Sequence, residues 1–152
     1  MKPTVFLRIA SIVALLETLG HTLLFLSYGP AHGPEEVALV AAMKLHRFNF
    51  GGFTHSYWDL YFGYGLFVTI TCLLEAILLW QLATLARTGP SRIKSLVAPF
   101  VLGEAGYALL MWKYFFLVPI VSHTFMTLCL GLAFLTAAPS SPAQQSAPEH
   151  TR

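Results

Sequence analysis

Between Ala10 and His21 a carboxylic acid and an imidazole, Glu17 and His21, stand one helical turn apart in a stretch otherwise apolar enough to cross a bilayer. Spacings of 4, 3 and 4 put Ala10, Ala14, Glu17 and His21 on one stripe of a helix. An acid facing lipid costs at least ~2.5 kcal/mol, so the stripe must face protein. A carboxyl group stripped of water holds its proton to higher pH, and a neighbouring imidazole can exchange it. Glu17 with His21, and Glu104 with His123 further along, are therefore candidate catalytic acid–base pairs for proton transfer to an apolar substrate.

Depth supports the grouping. Counted from the outer ends of their segments at ~1.5 Å per residue, His21 lies about 10 Å down, Glu17 about 16 Å, Glu104 about 13 Å and His123 about 8 Å. They share one layer. Asp59, Tyr61 and Lys113 fall at its rim, with His46, Arg47 and His55 in the outer segment above it, and these six are candidate ligand-binding residues. Glu75 stands apart, ~24 Å along the helix from Asp59 and on another face. Ala108 follows Glu104 by four residues, and Thr127 and Gly131 follow His123 by four and eight, the small-residue pattern of helix contacts in membranes. A purely structural role competes with the catalytic one, because a Glu–His hydrogen bond between membrane helices, worth about 0.6 to 2 kcal/mol, also holds a bundle in register.

Metal chemistry has a weaker basis. Di-iron bundles repeat Glu-x-x-His, whereas this chain has one Glu-x-x-x-His, at Glu17, and no repeat of it. Haem held between His21 and His123 is the other conceivable cofactor. No metal site and no cofactor is assigned.

The elements that position these groups follow from composition. Of 152 residues, 56% are hydrophobic and 11% charged, and the mean hydropathy is +0.66. A soluble domain carries roughly 25% charged residues, so this is a membrane chain. A net charge of +2 implies no nucleic-acid partner. Cys72 and Cys129 lie in apolar runs without CxxC spacing and read as inert buried thiols. The N-terminal apolar run is about twice the length of a signal-peptide core and lacks a small-residue cleavage site, so it reads as a span.

Four spans are expected, at about 5–28, 56–86, 95–113 and 119–138, making an all-α four-transmembrane-helix bundle over residues 1–138. Between the first two, residues 34–48 predict a short interfacial amphipathic helix, with Pro34 in its first turn, Glu35 and Glu36 complementing the dipole, and Val37, Val40, Leu45 and Phe48 on one side. Residues 49–55 read as a glycine-containing loop. Ser56 with Asp59 predicts a capping box opening span two, and Tyr57, Trp58, Tyr61 and Tyr64 an interfacial aromatic belt. Gly63 and Gly65 suit close helix packing. The tail, 139–152, is rich in Pro, Ser, Ala and Gln and reads as disordered.

An even number of spans collects Lys2, Arg8, Arg87, Arg92, Lys94 and Arg152 on one side, against Lys44, Arg47 and Lys113 on the other. The positive-inside rule then makes both termini cytoplasmic.

The runs Leu15-Leu16-Glu17-Thr18-Leu19-Gly20-His21-Thr22 and Ser56-Tyr57-Trp58-Asp59-Leu60-Tyr61-Phe62-Gly63-Tyr64-Gly65 resemble small uncharacterised bacterial four-helix integral membrane proteins. The resemblance covers the spans but not the tail, and implies the fold and an inner-membrane location. There is a looser likeness, in architecture rather than motif, to sterol-isomerase-like four-helix membrane domains, where acids inside the bundle face an apolar ligand. The expected function is binding of a small apolar or lipid-like molecule, with proton transfer to it, in a pocket open to the outer leaflet. The alternative is a non-catalytic bundle or subunit whose His/Glu pairs fix packing or a partner interface. Membrane lipids are the expected surroundings, and transport through so few helices would require a homodimer.

Overall fold

The computed structural model describes residues 2–137. The expected tail lies outside the described residues. Seven elements follow one another: helices α1 (Pro3–Leu26) and α2 (Pro34–Leu45), strands β1 (Arg47–Phe50) and β2 (Phe53–Ser56), and helices α3 (Tyr57–Thr88), α4 (Lys94–Tyr114) and α5 (Leu117–Thr136). Four of these helices, α1, α3, α4 and α5, are long and apolar enough to span a membrane. The protein is an all-α, four-span membrane protein, and its outward leucines, such as Leu16, Leu23, Leu102 and Leu135, are more than half exposed as lipid-facing side chains must be.

The chain forms two compact units. One takes residues 2–11 and 78–137, the other Ile12–Ile77. The first unit is a four-helix core in itself, built from the start of α1, the end of α3, and α4 and α5 entire. Leu7 and Ala10 pack there with Leu79, Ala83 and Ala86, with Ile93 and Val97, and with Leu130 and Ala133. Each set recurs at three- or four-residue spacing, one stripe per helix, and the alternation of leucine with alanine lets backbones approach closely.

One helix start differs from expectation. α5 begins at Leu117, so Pro119 is its third residue rather than its opening. First-turn amides have no intrahelical acceptor, so proline is tolerated throughout that turn. Pro99 lies inside α4, where the helix runs on through it.

The second unit departs most from the sequence reading. Instead of a loop, residues 47–56 form an antiparallel hairpin in which Arg47 faces Ser56, Phe48 faces His55 and Phe50 faces Phe53. Gly51 and Gly52 have φ of 61° and 89°, the doubly left-handed turn that matches the twist of two short strands. Asn49 Oδ1 accepts the Gly52 amide at 3.1 Å and closes the turn. Strand pairing claims the chain from Arg47 on, and so α2 ends at Leu45 rather than Phe48. Its expected apolar side is only partly covered, with Val40 buried but Val37 and Leu45 exposed.

The capping box is present. The Ser56 amide donates to Asp59 Oδ2 at 2.8 Å while the Asp59 amide donates to Ser56 Oγ at 3.1 Å, which satisfies two first-turn donors of α3 and joins the hairpin to the helix.

Candidate functional site

In the first unit, α4 and α5 form a hairpin of helices. On α5, His123, Met126, Leu130 and Ala133 are buried at spacings of three and four, so the imidazole occupies a position that a core residue would normally fill. On α4 the corresponding buried residues are Val97 and, two turns later, Glu104. His123 Nδ1 lies 2.9 Å from Glu104 Oε2, with the two side chains 9% and 1% exposed. The Tyr107 ring stands against the imidazole at 5.4 Å. Glu104 Oε1 is also buried and has no hydrogen-bond partner among the described residues.

Chemically this is a single-proton device. One proton lies between Oε2 and Nδ1, either on Nδ1 and donated to a carboxylate or on the carboxyl group and donated to a bare Nδ1, and both arrangements are internally hydrogen-bonded. The second carboxylate oxygen remains as an acceptor. One turn on from Glu104 and His123 stand Ala108 and Thr127, and these line an apolar groove of about 360 Å³ with Leu109, Trp112, Ile120 and Leu128. Pair and groove thus lie on adjacent strips of the same two helices.

The other sequence-predicted acid–base pair is in the second unit and is engaged differently. His21 Nε2–H donates to the Gly65 carbonyl of α3 at 3.0 Å, so the ring carries its proton on Nε2. The imidazole also stacks on Phe25, at 5.6 Å and 10°. Phe25 in turn lies where a Cβ on Gly65 would stand, which explains the glycine, whereas a Cβ on Gly63 would meet nothing. One residue on, Thr22 and Thr69 hydroxyls meet at 3.1 Å. Glu17 is half-buried, beside Ala10 and Ala14, which are fully buried, so the stripe does face inward. Glu75 is half-buried too.

The predicted rim residues have different partners. His55 and Asp59 meet in an open depression of about 400 Å³ with Leu60, Gly63, Tyr64 and Phe67. His46 stacks on Tyr57 at 5.6 Å, and Arg47 is exposed at the start of β1. Tyr61 packs on Trp58 and Phe25, at 5.5 and 5.7 Å, as part of the expected aromatic belt. Lys113 belongs to the first unit, where its Nζ lies 5.2 Å from the centre of the Tyr114 ring.

Sequence reasoning missed one well-connected acid. Glu36, expected only to complement a helix dipole, accepts Tyr28 O–H at 2.6 Å on Oε1 and the amides of Ala31 and His32, both at 2.7 Å, on Oε2. It therefore closes the turn between α1 and α2. These donors, the Tyr28 hydroxyl foremost, pull its carboxyl from 4.5 down to about 2, and the same bond pushes the Tyr28 phenol up. Nothing in the local residue pattern marks Glu36 over Glu35. Thr69 and Tyr107 were also missed, being ordinary span residues by type.

No three His, Cys, Asp or Glu side chains cluster as a metal site among the described residues. No family model, no curated protein and no solved structure matches the chain.

Proposed function

We propose that this protein is an inner-membrane protein, with both termini cytoplasmic, that binds a small apolar or lipid-like molecule and acts on it by proton transfer. The observation that carries the reading is the Glu104–His123 pair, almost wholly enclosed, with one carboxylate oxygen unpartnered among the described residues and an apolar groove along the same helix seam. Apolar walls and a tail-sized volume suit an acyl or terpenoid chain, and the buried acid and imidazole supply the one polar step. Glu104 is the proton acceptor and His123 its relay. Glu17 and His21 form the second acid–imidazole set, with the His21 Nε2 proton held by Gly65.

A second reading has its own support. A pair bonded at 2.9 Å and almost wholly enclosed is also what a packing lock between α4 and α5 looks like. Glu→Gln separates the two, because it keeps shape and hydrogen-bonding capacity while removing charge and titration. The protein is purified in mild detergent, and its thermal stability and its co-purifying apolar molecules, identified by mass spectrometry across pH, are compared for Glu104→Gln, Glu17→Gln and Glu75→Gln. Glu104→Gln is expected to stay folded and lose the pH dependence of retention, with Glu75→Gln changing neither. Effects confined to stability and alike at all three positions would leave the packing lock as the role.

A further inference from the structure

The end of the first unit away from Glu104 has a one-sided charge. Its described residues 2–11, 78–100 and 130–137 hold Lys2, Arg8, Arg87, Arg92 and Lys94, and no Asp or Glu. Topology brings these segments together, because the start of α1, the end of α3, the start of α4 and the end of α5 pack in one core through Leu7, Ala86, Ile93 and Ala137. The turn joining α3 to α4 lies between two spans, and so at headgroup level.

Two of the cations are held in place. The Arg8 guanidinium lies over the Trp80 ring, 4.2 Å from its centre, and its buried Nε has no hydrogen-bond partner among the described residues. Lys94 Nζ lies 4.8 Å from the centre of the Phe134 ring, drawing α4 towards α5. A guanidinium has five donors in a planar fork, and a buried N–H without an acceptor is an unmet demand for an anion. Stacking on an aromatic face orients the fork without satisfying any of those donors.

We infer that this end of the bundle is a binding site for the phosphate headgroup of an anionic phospholipid, with the half-buried Arg8 as the anchor and Lys94 as a flanking cation. A lipid is favoured over a free phosphate because the site lies where two spans leave the bilayer and the surrounding side chains, Trp80 and Phe134 among them, are apolar enough to seat acyl chains. The attraction exceeds that of a general cationic surface because one donor, Arg8 Nε, is already buried and unpaired among the described residues. The inference is independent of any chemistry at Glu104.

The full chain in mild detergent is offered equal amounts of phosphatidylglycerol and phosphatidylcholine with the same acyl chains, and bound lipid is read by native mass spectrometry. A third arm adds inorganic phosphate. Wild type is expected to retain phosphatidylglycerol selectively, and Arg8→Gln to reduce that retention about fivefold, the effect of one well-placed basic side chain. Lys94→Gln should give a smaller loss, and Lys44→Gln, a charge-matched change in the other unit, none. Equal retention of the two lipids by wild type overturns the inference, as does full retention in both Arg8→Gln and Lys94→Gln. Displacement of the lipid by inorganic phosphate would also overturn it, as a site for the free anion. Should Arg8→Gln not fold, the wild-type lipid preference and Lys94→Gln decide the matter between them.

Discussion

Gly65 is where a single methyl group should do the most damage for its size. An alanine Cβ there would overlap the Phe25 ring, so either the ring must leave its stack with His21 or α1 and α3 must move apart locally. Overpacking of this kind costs about 1–3 kcal/mol. Moving the Gly65 carbonyl away from His21 Nε2 adds the loss of an interhelical hydrogen bond, about 0.6–1.7 kcal/mol in membrane proteins. The sum is about 2–5 kcal/mol. Gly63→Ala is the control, since its Cβ meets nothing and helix propensity alone gives it a gain of up to ~1 kcal/mol. The propensity gain is common to both variants, so with each kcal/mol worth roughly 2–4 °C in a chain of this size they should differ by roughly 4–20 °C in thermal midpoint. Tryptophan fluorescence on heating in mild detergent measures this. Removing the ring should relieve the overlap, so the Gly65→Ala, Phe25→Ala double variant should be more stable than the two single losses add up to, by at least ~1 kcal/mol. Equal midpoints for Gly65→Ala and Gly63→Ala, or strict additivity with Phe25→Ala, would refute the packing assigned to His21.

The turn closed by Glu36 should open in acid. A carboxyl group whose pKa is lowered on folding, here from 4.5 to about 2, contributes stability fully present above the unfolded value and lost as pH falls through the folded one. Hydrogen exchange at the Ala31 and His32 amides should therefore accelerate, relative to the intrinsic rate, between about pH 4.5 and 2, and Tyr28→Phe should move that transition to higher pH. An unchanged transition in Tyr28→Phe would show that the hydroxyl is not the principal cause. The proposed orientation is checked by reporter fusions after Arg92 and after Gly51, which should give signals from opposite sides of the membrane. The same signal from both would exclude an α3 that crosses.

Much of the fold was legible because it depends on local chemistry. Span lengths follow from apolar runs long enough for the hydrocarbon layer, the start of α3 from Ser56 and Asp59 at capping distance, and the inward stripe of α1 from the spacing of Ala10, Ala14 and Glu17. The hairpin was legible in principle, in Gly51–Gly52 between two phenylalanines, but its strands lack the strict alternation that marks a half-buried strand.

The site was legible in its residue types and not in its partners. Spacing alone put Glu104 and His123 at comparable depth and His21 near Glu17. That His123 meets Glu104 at 2.9 Å, while His21 turns to a backbone carbonyl of α3, was decided by how the helices pack. The same holds for Glu36, whose four donors come from a tyrosine and a turn that only the folded chain brings to it. A sequence fixes which side of a helix a polar group occupies, because that is set by a period of 3.6 residues. Which atom it bonds depends on the rotation and separation of neighbouring helices to within about an ångström, and those are set by the combined packing of many side chains, none of which carries the answer alone.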